Sequence, residues 1–210
     1  MSRLRYNRRD AVEHLKSRCP ELGRLIKDSG PLKLKVARNT DLFNALSSAI
    51  IYQQLSGKAA ATIHGRFKAL FRESLPEAGQ ARKLSHESLR GAGLSNNKVL
   101  AVHDLAEKTL DGTLVSERRL RQLADEEVSD NLCRVRGIGP WTAQMYLIFN
   151  LGRPDVMPAT DLGIQKGVQW VYGQEQLPTP EGVLQTTQHL APYRSAASWY
   201  FWLAADTGLT

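Results

Sequence analysis

Apolar residues recur at three- and four-residue intervals along most of this chain, the spacing of one buried face on an α-helix. In "DLFNALSSAIIYQQL", Leu42, Leu46 and Ile50 fall four apart, and after a break at Ser56-Gly57 the next segment repeats the pattern with Ile63, Phe67 and Leu70. Further helical stretches are predicted around 97–110, 125–134, 140–150, 161–172, 181–190 and 194–206. Alternation of the strand kind appears only in "PLKLKVA" at 31–37, and one strand cannot make a sheet. The expected fold is all-α, with roughly ten helices joined by short turns. Pro76–Gly79 and Pro178–Pro180 mark loops too short to separate independent domains, so residues 1–210 read as a single unit of two lobes.

Two stretches break the pattern in ways that carry chemistry. "RVRGIGPWTAQMY", residues 134 to 146, puts Gly137, Ile138, Gly139 and Pro140 between two helices. Glycine and proline are the poorest residues for a helix interior, so this segment ends one helix and begins the next. It reads either as a tight turn, with Pro140 at the first helical position, or as a place where bare backbone N–H groups and a helix N-terminus receive an anion. The second stretch, "RPDVMPATDLGIQKG", sets Asp161 at the mouth of a helix, about twenty residues after the glycines. There Thr160 or Asp161 can serve simply as an N-cap.

Composition narrows the field. With 28 Lys and Arg against 21 Asp and Glu, the net charge of +7 favours a polyanionic partner. Two cysteines, Cys19 and Cys133, and five scattered histidines argue against a disulfide scaffold, a zinc site or a cysteine-held iron–sulfur cluster. The basic start lacks the apolar run of a signal peptide, and no apolar stretch is long enough to span a bilayer. A reduced, intracellular protein with no membrane partner is expected, in cytoplasm or nucleoid if bacterial and in the nucleus if eukaryotic.

The hairpin "VRGIGPWTA", the helix after it and "MPATDLGIQKG" resemble the helix-hairpin-helix Gly/Pro–Asp superfamily of DNA glycosylases. "AIIYQQLSGKAAATI", "LRGAGLSNNKVLAVHDLA" and "PYRSAASWYFW" are similar to its 3-methyladenine DNA glycosylase II (AlkA-like) branch, and the likeness runs from about residue 8 to the C-terminus. It implies a two-lobed helical fold without the N-terminal β-domain of longer members. One lobe would span about 40–130 and carry a wedge loop at 53–57. The other would span about 1–39 plus 131–210, with the hairpin at 135–140 and Asp161.

The resemblance also implies roles. Asp161 matches the catalytic aspartate, and a carboxylate there would stabilise positive charge growing on the sugar as an N-glycosidic bond breaks. Bifunctional members carry a lysine just after the hairpin, whereas this chain has Trp141, so hydrolysis without strand nicking is implied. Trp141, Met145 and Trp202 match positions of the base pocket, Met145 replacing an aromatic residue of a relative. Gln53, Gln54, Leu55 and Ser56 match the wedge that fills the gap left by a flipped base. Gly137, Gly139, Thr142, Lys166 and Arg194 would meet phosphate. The carbonyls of Cys133, Val135 and Ile138 match a site for a monovalent cation, Na⁺ or K⁺; no cofactor is otherwise implied. The implied activity is removal of alkylated purines of the 3-methyladenine and 7-methylguanine type from double-stranded DNA, by a monomer, leaving an abasic site. The alternatives are a non-catalytic protein that binds lesions or bent DNA, in which a carboxylate near phosphate would be a liability, and a glycosylase for deaminated or etheno bases.

Overall fold

A computed structural model describes residues 4–37 and 41–207; the lobe boundary expected at 39/40 lies outside them. Thirteen α-helices and no strand occur among these residues. They are α1 (Arg8–Arg18), α2 (Pro20–Ser29), α3 (Leu42–Tyr52), α4 (Gly57–Lys68), α5 (Ala78–Ala81), α6 (His86–Gly91) and α7 (Asn96–Leu110). After them come α8 (Glu117–Leu120), α9 (Asp125–Leu132), α10 (Pro140–Phe149), α11 (Leu162–Tyr172), α12 (Pro180–Thr187) and α13 (Arg194–Thr207). The excess over ten comes from short pieces such as α5 and α8, four residues each, that show too little of a period to be read. None is long and apolar enough to cross a membrane.

The chain divides into two compact units, Met1–Arg38 with Leu147–Thr210, and Asn39–Tyr146. The hairpin therefore groups with residues 39–146, whereas the resemblance implied a lobe that joins it to Asp161. The division falls inside α10. The cause is local: the hairpin backbone is hydrogen-bonded to side chains of α7.

In the unit of residues 39–146, α3 packs on α4 and α7, and α5 and α6 also lie against α7. Leu46, Ile50, Val99, Val102 and Leu105 are each at most 1% exposed, so the predicted face of α3 is core. Ser56 and Ser95 start α4 and α7 by accepting the N–H groups of Ala59 and Lys98.

The other unit is built on α11 against α13, with α1 and α2 beside α13. The close approach depends on Gly167, where a Cβ would lie 2.0 Å from the Phe201 carbonyl oxygen. "PLKLKVA" forms no strand. Leu32 and Leu34 are buried at alternate positions, but the backbone partners are a side chain and a helix end: Arg8 donates to the Leu34 carbonyl at 2.8 Å and the Ala37 N–H to that of Phe149 at 2.7 Å.

Candidate functional site

The hairpin between α9 and α10 holds Gly137 at φ +77°, the left-handed region that glycine adopts without steric cost. Gly139 has ordinary φ, and a Cβ there would meet open space. Its carbonyl accepts the Ala143 N–H at 3.1 Å, so it precedes the first turn of α10. Among the described residues the Gly137 and Gly139 N–H groups have no acceptor, and the positive end of the α10 dipole lies beside them. This is the arrangement that receives an anion.

Helix α7 fixes that hairpin from behind. Asp104 Oδ2 accepts the Arg136 N–H at 2.7 Å and the Lys108 ammonium at 2.9 Å. Lys108 also donates to the Arg134 carbonyl. Neither residue stands out in the sequence, because an Asp and a Lys four apart on a helix look like an ordinary surface pair.

In the same unit Gln53, Gln54, Gly137, Trp141, Thr142 and Met145 line one cavity of about 520 Å³, with Tyr52 and Ala49 completing it. Of the residues the resemblance assigns in this unit, Gln53, Gln54, Gly137, Trp141, Thr142 and Met145 thus share one cavity, while Leu55, Ser56 and Gly139 are not among its lining. Trp141 and Tyr52 are each 41% exposed, and the Tyr52 ring packs edge-on against His64 with centroids 5.8 Å apart. Gln54 has φ +55°, unusual for a residue with a Cβ. Leu55 is 38% exposed, and Ser56 is spent as the cap of α4.

Two residues in this cluster depart from the expected contacts. The Gln53 carboxamide, expected in the minor groove, donates to the Gly137 carbonyl at 2.9 Å and to the Thr142 hydroxyl at 3.4 Å. Thr142, expected on phosphate, is 5% exposed with its hydroxyl turned to Gln53. Both side chains join the wedge loop to the hairpin instead of facing outward.

In the other unit Asp161 is the N-cap of α11, its Oδ1 accepting the Ile164 N–H at 3.0 Å. The same oxygen accepts the Trp202 indole N–H at 2.9 Å. The capping role and a catalytic one are therefore compatible, since the cap immobilises the carboxylate. Trp202 is itself held, stacked on Phe149 with centroids 5.7 Å apart and planes at 28°. Gly163 makes the contact sterically possible: a Cβ there would stand 3.0 Å from both Asp161 Oδ1 and Trp202 Cδ1. Gln165 braces the preceding loop through the Ala159 carbonyl at 3.1 Å. Phe149, Gly163 and Gln165 went unread because each looks like an ordinary helix residue.

The two basic residues expected on phosphate behave differently. Arg194 is engaged by Asp155, Nε to Oδ1 at 2.7 Å and a terminal nitrogen to Oδ2 at 2.8 Å. Burial would raise the Asp155 carboxyl, but the guanidinium and the Arg194 backbone N–H outweigh it and hold the group below the ordinary range. The Arg194 guanidinium is thus committed within the protein. Lys166 lines a separate cavity of about 470 Å³ with Gln169, Trp170 and Gln174. No group of three or more His, Cys, Asp or Glu among the described residues could hold a metal ion, and both cysteines are free thiols.

Comparison with known proteins places the fold in a family. Residues 47–192 match the model of the HhH-GPD superfamily of base excision DNA repair proteins. DNA-3-methyladenine glycosylase 1 of Schizosaccharomyces pombe is 37% identical over 161 residues, covering 76% of this chain and 71% of that protein. The alkylbase DNA glycosidase-like protein mag2 of the same yeast is 30% identical over 194 residues, 91% of each chain. The structure of S. pombe 3-methyladenine DNA glycosylase (Mag1) in complex with abasic DNA is similar with a TM-score of 0.85 at 34% identity, covering 92% of this chain and 95% of that one. This chain belongs to the HhH-GPD superfamily of base excision DNA repair proteins.

Proposed function

We propose that the protein is a monofunctional DNA glycosylase that flips alkylated purines out of double-stranded DNA and hydrolyses their N-glycosidic bond, leaving an abasic site. The observation that carries this reading is the Asp161 carboxylate, pinned by a backbone N–H at 3.0 Å and an indole N–H at 2.9 Å. A fixed negative charge costs no reorganisation when the sugar becomes cationic, which is the condition for electrostatic catalysis. The same carboxylate would orient the attacking water. An alkylated purine already carries positive charge and leaves without strong acid assistance.

Trp141 and Met145 in their cavity, and Trp202 beside Asp161, are proposed to receive the base; aromatic faces suit an electron-poor, cationic ring. Trp141 has no amine with which to form a Schiff base, so the strand stays intact. Gly137 and Gly139 are proposed to bind phosphate through their N–H groups, contacts that position the duplex without reading its sequence. Lys166 remains a candidate for a further phosphate contact. The carbonyls of Cys133, Val135 and Ile138 are proposed ligands for Na⁺ or K⁺. Val135 already accepts the Ile138 N–H at 3.0 Å, but a carbonyl has a second lone pair, and carbonyl oxygens suit such ions. When bound, the ion would add positive potential near the phosphate.

The test is incubation with methylated duplex DNA, with chromatography of the supernatant and a denaturing gel of the strands. Free methylated purine with uncut strands until alkali is added is the expected result. Binding without release would favour the non-catalytic reading, and release of deaminated or etheno bases alone would change the substrate.

A further inference from the structure

Helix α3 ends at Tyr52, one residue before the loop that carries Gln54 and Leu55. The last carbonyls of any α-helix lack an intrahelical partner and must find one elsewhere. Here the partner comes from α7. The Lys98 ammonium donates to the Ile51 carbonyl at 2.7 Å and to the Gln53 carbonyl at 2.8 Å, so one side chain ties the end of the helix to the start of the loop. Partial burial of Lys98 lowers its affinity for the proton, and such a group stays charged only where acceptors compensate it. Two donor bonds from one ammonium to two carbonyls two residues apart fix the direction in which the chain leaves α3.

The loop beyond α3 is strained at a single residue. Gln54 sits at φ +55° without being glycine, a conformation that persists only where its surroundings over-determine it. Its surroundings supply three fixed points. Lys98 holds the Gln53 carbonyl, the Gln53 carboxamide is tied to the Gly137 carbonyl at 2.9 Å, and Ser56 caps α4 through the Ala59 N–H at 3.4 Å. Between these anchors only Gln54 and Leu55 are left as exposed side chains without such a tie.

We propose that Lys98 is a positioning residue for base extrusion: it holds the α3 terminus and the Gln53–Ser56 loop so that Gln54 and Leu55 project in the conformation that replaces an extruded base. Lys98 does not touch DNA in this scheme. The inference rests on the proposed glycosylase reading for its substrate, and it makes Gln53 a strut between wedge loop and phosphate hairpin.

The experiment compares wild type, Lys98→Met and Lys98→Arg on a duplex carrying 2-aminopurine next to a methylated purine. Single-turnover base release, the rate of the fluorescence rise on unstacking, and affinity for undamaged duplex are measured, with thermal unfolding as the control. Loss of a charged donor to two carbonyls should slow release and unstacking of Lys98→Met together by roughly 10- to 100-fold. Affinity for undamaged duplex should stay within about threefold, because phosphate contacts dominate it. Lys98→Arg should recover most of both rates. Wild-type rates in folded Lys98→Met overturn the proposal, and so does an equal loss of undamaged-duplex affinity, which would make Lys98 a phosphate contact. Should Lys98→Met fail to fold, Lys98→Gln is judged by the same criteria. If wild type released no base, the glycosylase reading would fail while the fluorescence comparison still decided the role of Lys98.

Discussion

Gly163→Ala separates the stability of α11 from the placement of the carboxylate in front of it. The substitution replaces glycine inside a helix by the best helix former, which by propensity stabilises by up to about 1 kcal/mol. Its Cβ, however, would stand 3.0 Å from Asp161 Oδ1 and 3.0 Å from Trp202 Cδ1, closer than such contacts normally run. Either the carboxylate or the indole must retreat by a few tenths of an ångström, and the 2.9 Å hydrogen bond between them is what gives way. A hydrogen bond to a charged acceptor contributes about 1.5–3 kcal/mol. If that fixes the carboxylate for the transition state, losing it slows base release by about 10- to 150-fold. Single-turnover release from methylated duplex measures this, alongside thermal unfolding. The expected result is a melting temperature within about 2–4 °C of wild type with release strongly slowed. Release within about threefold of wild type, in a folded protein, would refute the idea that Trp202 positions Asp161.

Gly137→Val forces a β-branched residue to φ +77° and brings a Cβ to 3.4 Å from that of Ala101, so the hairpin must rearrange. Duplex affinity should fall about tenfold, with the salt dependence shallower by about one phosphate contact and lesion preference unchanged; equal affinity for abasic-site duplex in both proteins would contradict this. Asp155→Asn tests the pair with Arg194. Because the folded-state carboxyl is held below its unfolded value, its contribution is present above about pH 4 and lost as pH falls through the lower folded value. Removing the carboxylate should therefore lower stability at neutral pH and flatten the loss of stability on the acid side, as followed by urea unfolding between pH 2 and pH 7. An unchanged acid limb would show that the pair is not linked to folding.

The helical class was legible because Leu42, Leu46 and Ile50 repeat at one period and all three prove buried, at 8%, 1% and 1% exposure. The hairpin was legible because glycine and proline break a helical pattern in ways with few physical causes, whereas Asp161 read by itself as an ordinary cap and took its role only from the family resemblance. Helix α1 was harder to see, since Ala11 and Leu15 are its only buried residues. The supports of the site were hidden for a different reason. Lys98, Asp104 and Gln53 act on backbone groups 32 to 84 positions away, and nothing local in "NNKVLAVHDLA" distinguishes such a lysine from a solvated one. Arg194 is a further case: its pairing with Asp155, 39 residues away, is equally invisible in the local sequence. Periodicity reports the face a helix buries; it does not report which distant carbonyl a long side chain will reach.

The most direct test of the catalytic account is single-turnover release of methylated purine by Asp161→Asn beside wild type. Asparagine caps a helix about as well as aspartate, so the Ile164 N–H keeps an acceptor and the melting temperature should hold within about 2–4 °C. The negative charge is removed, and one carboxylate oxygen becomes an NH2 donor. A fall in release of roughly 100-fold or more is the predicted result. A folded Asp161→Asn protein that releases base at the wild-type rate would contradict the assignment of the catalytic carboxylate.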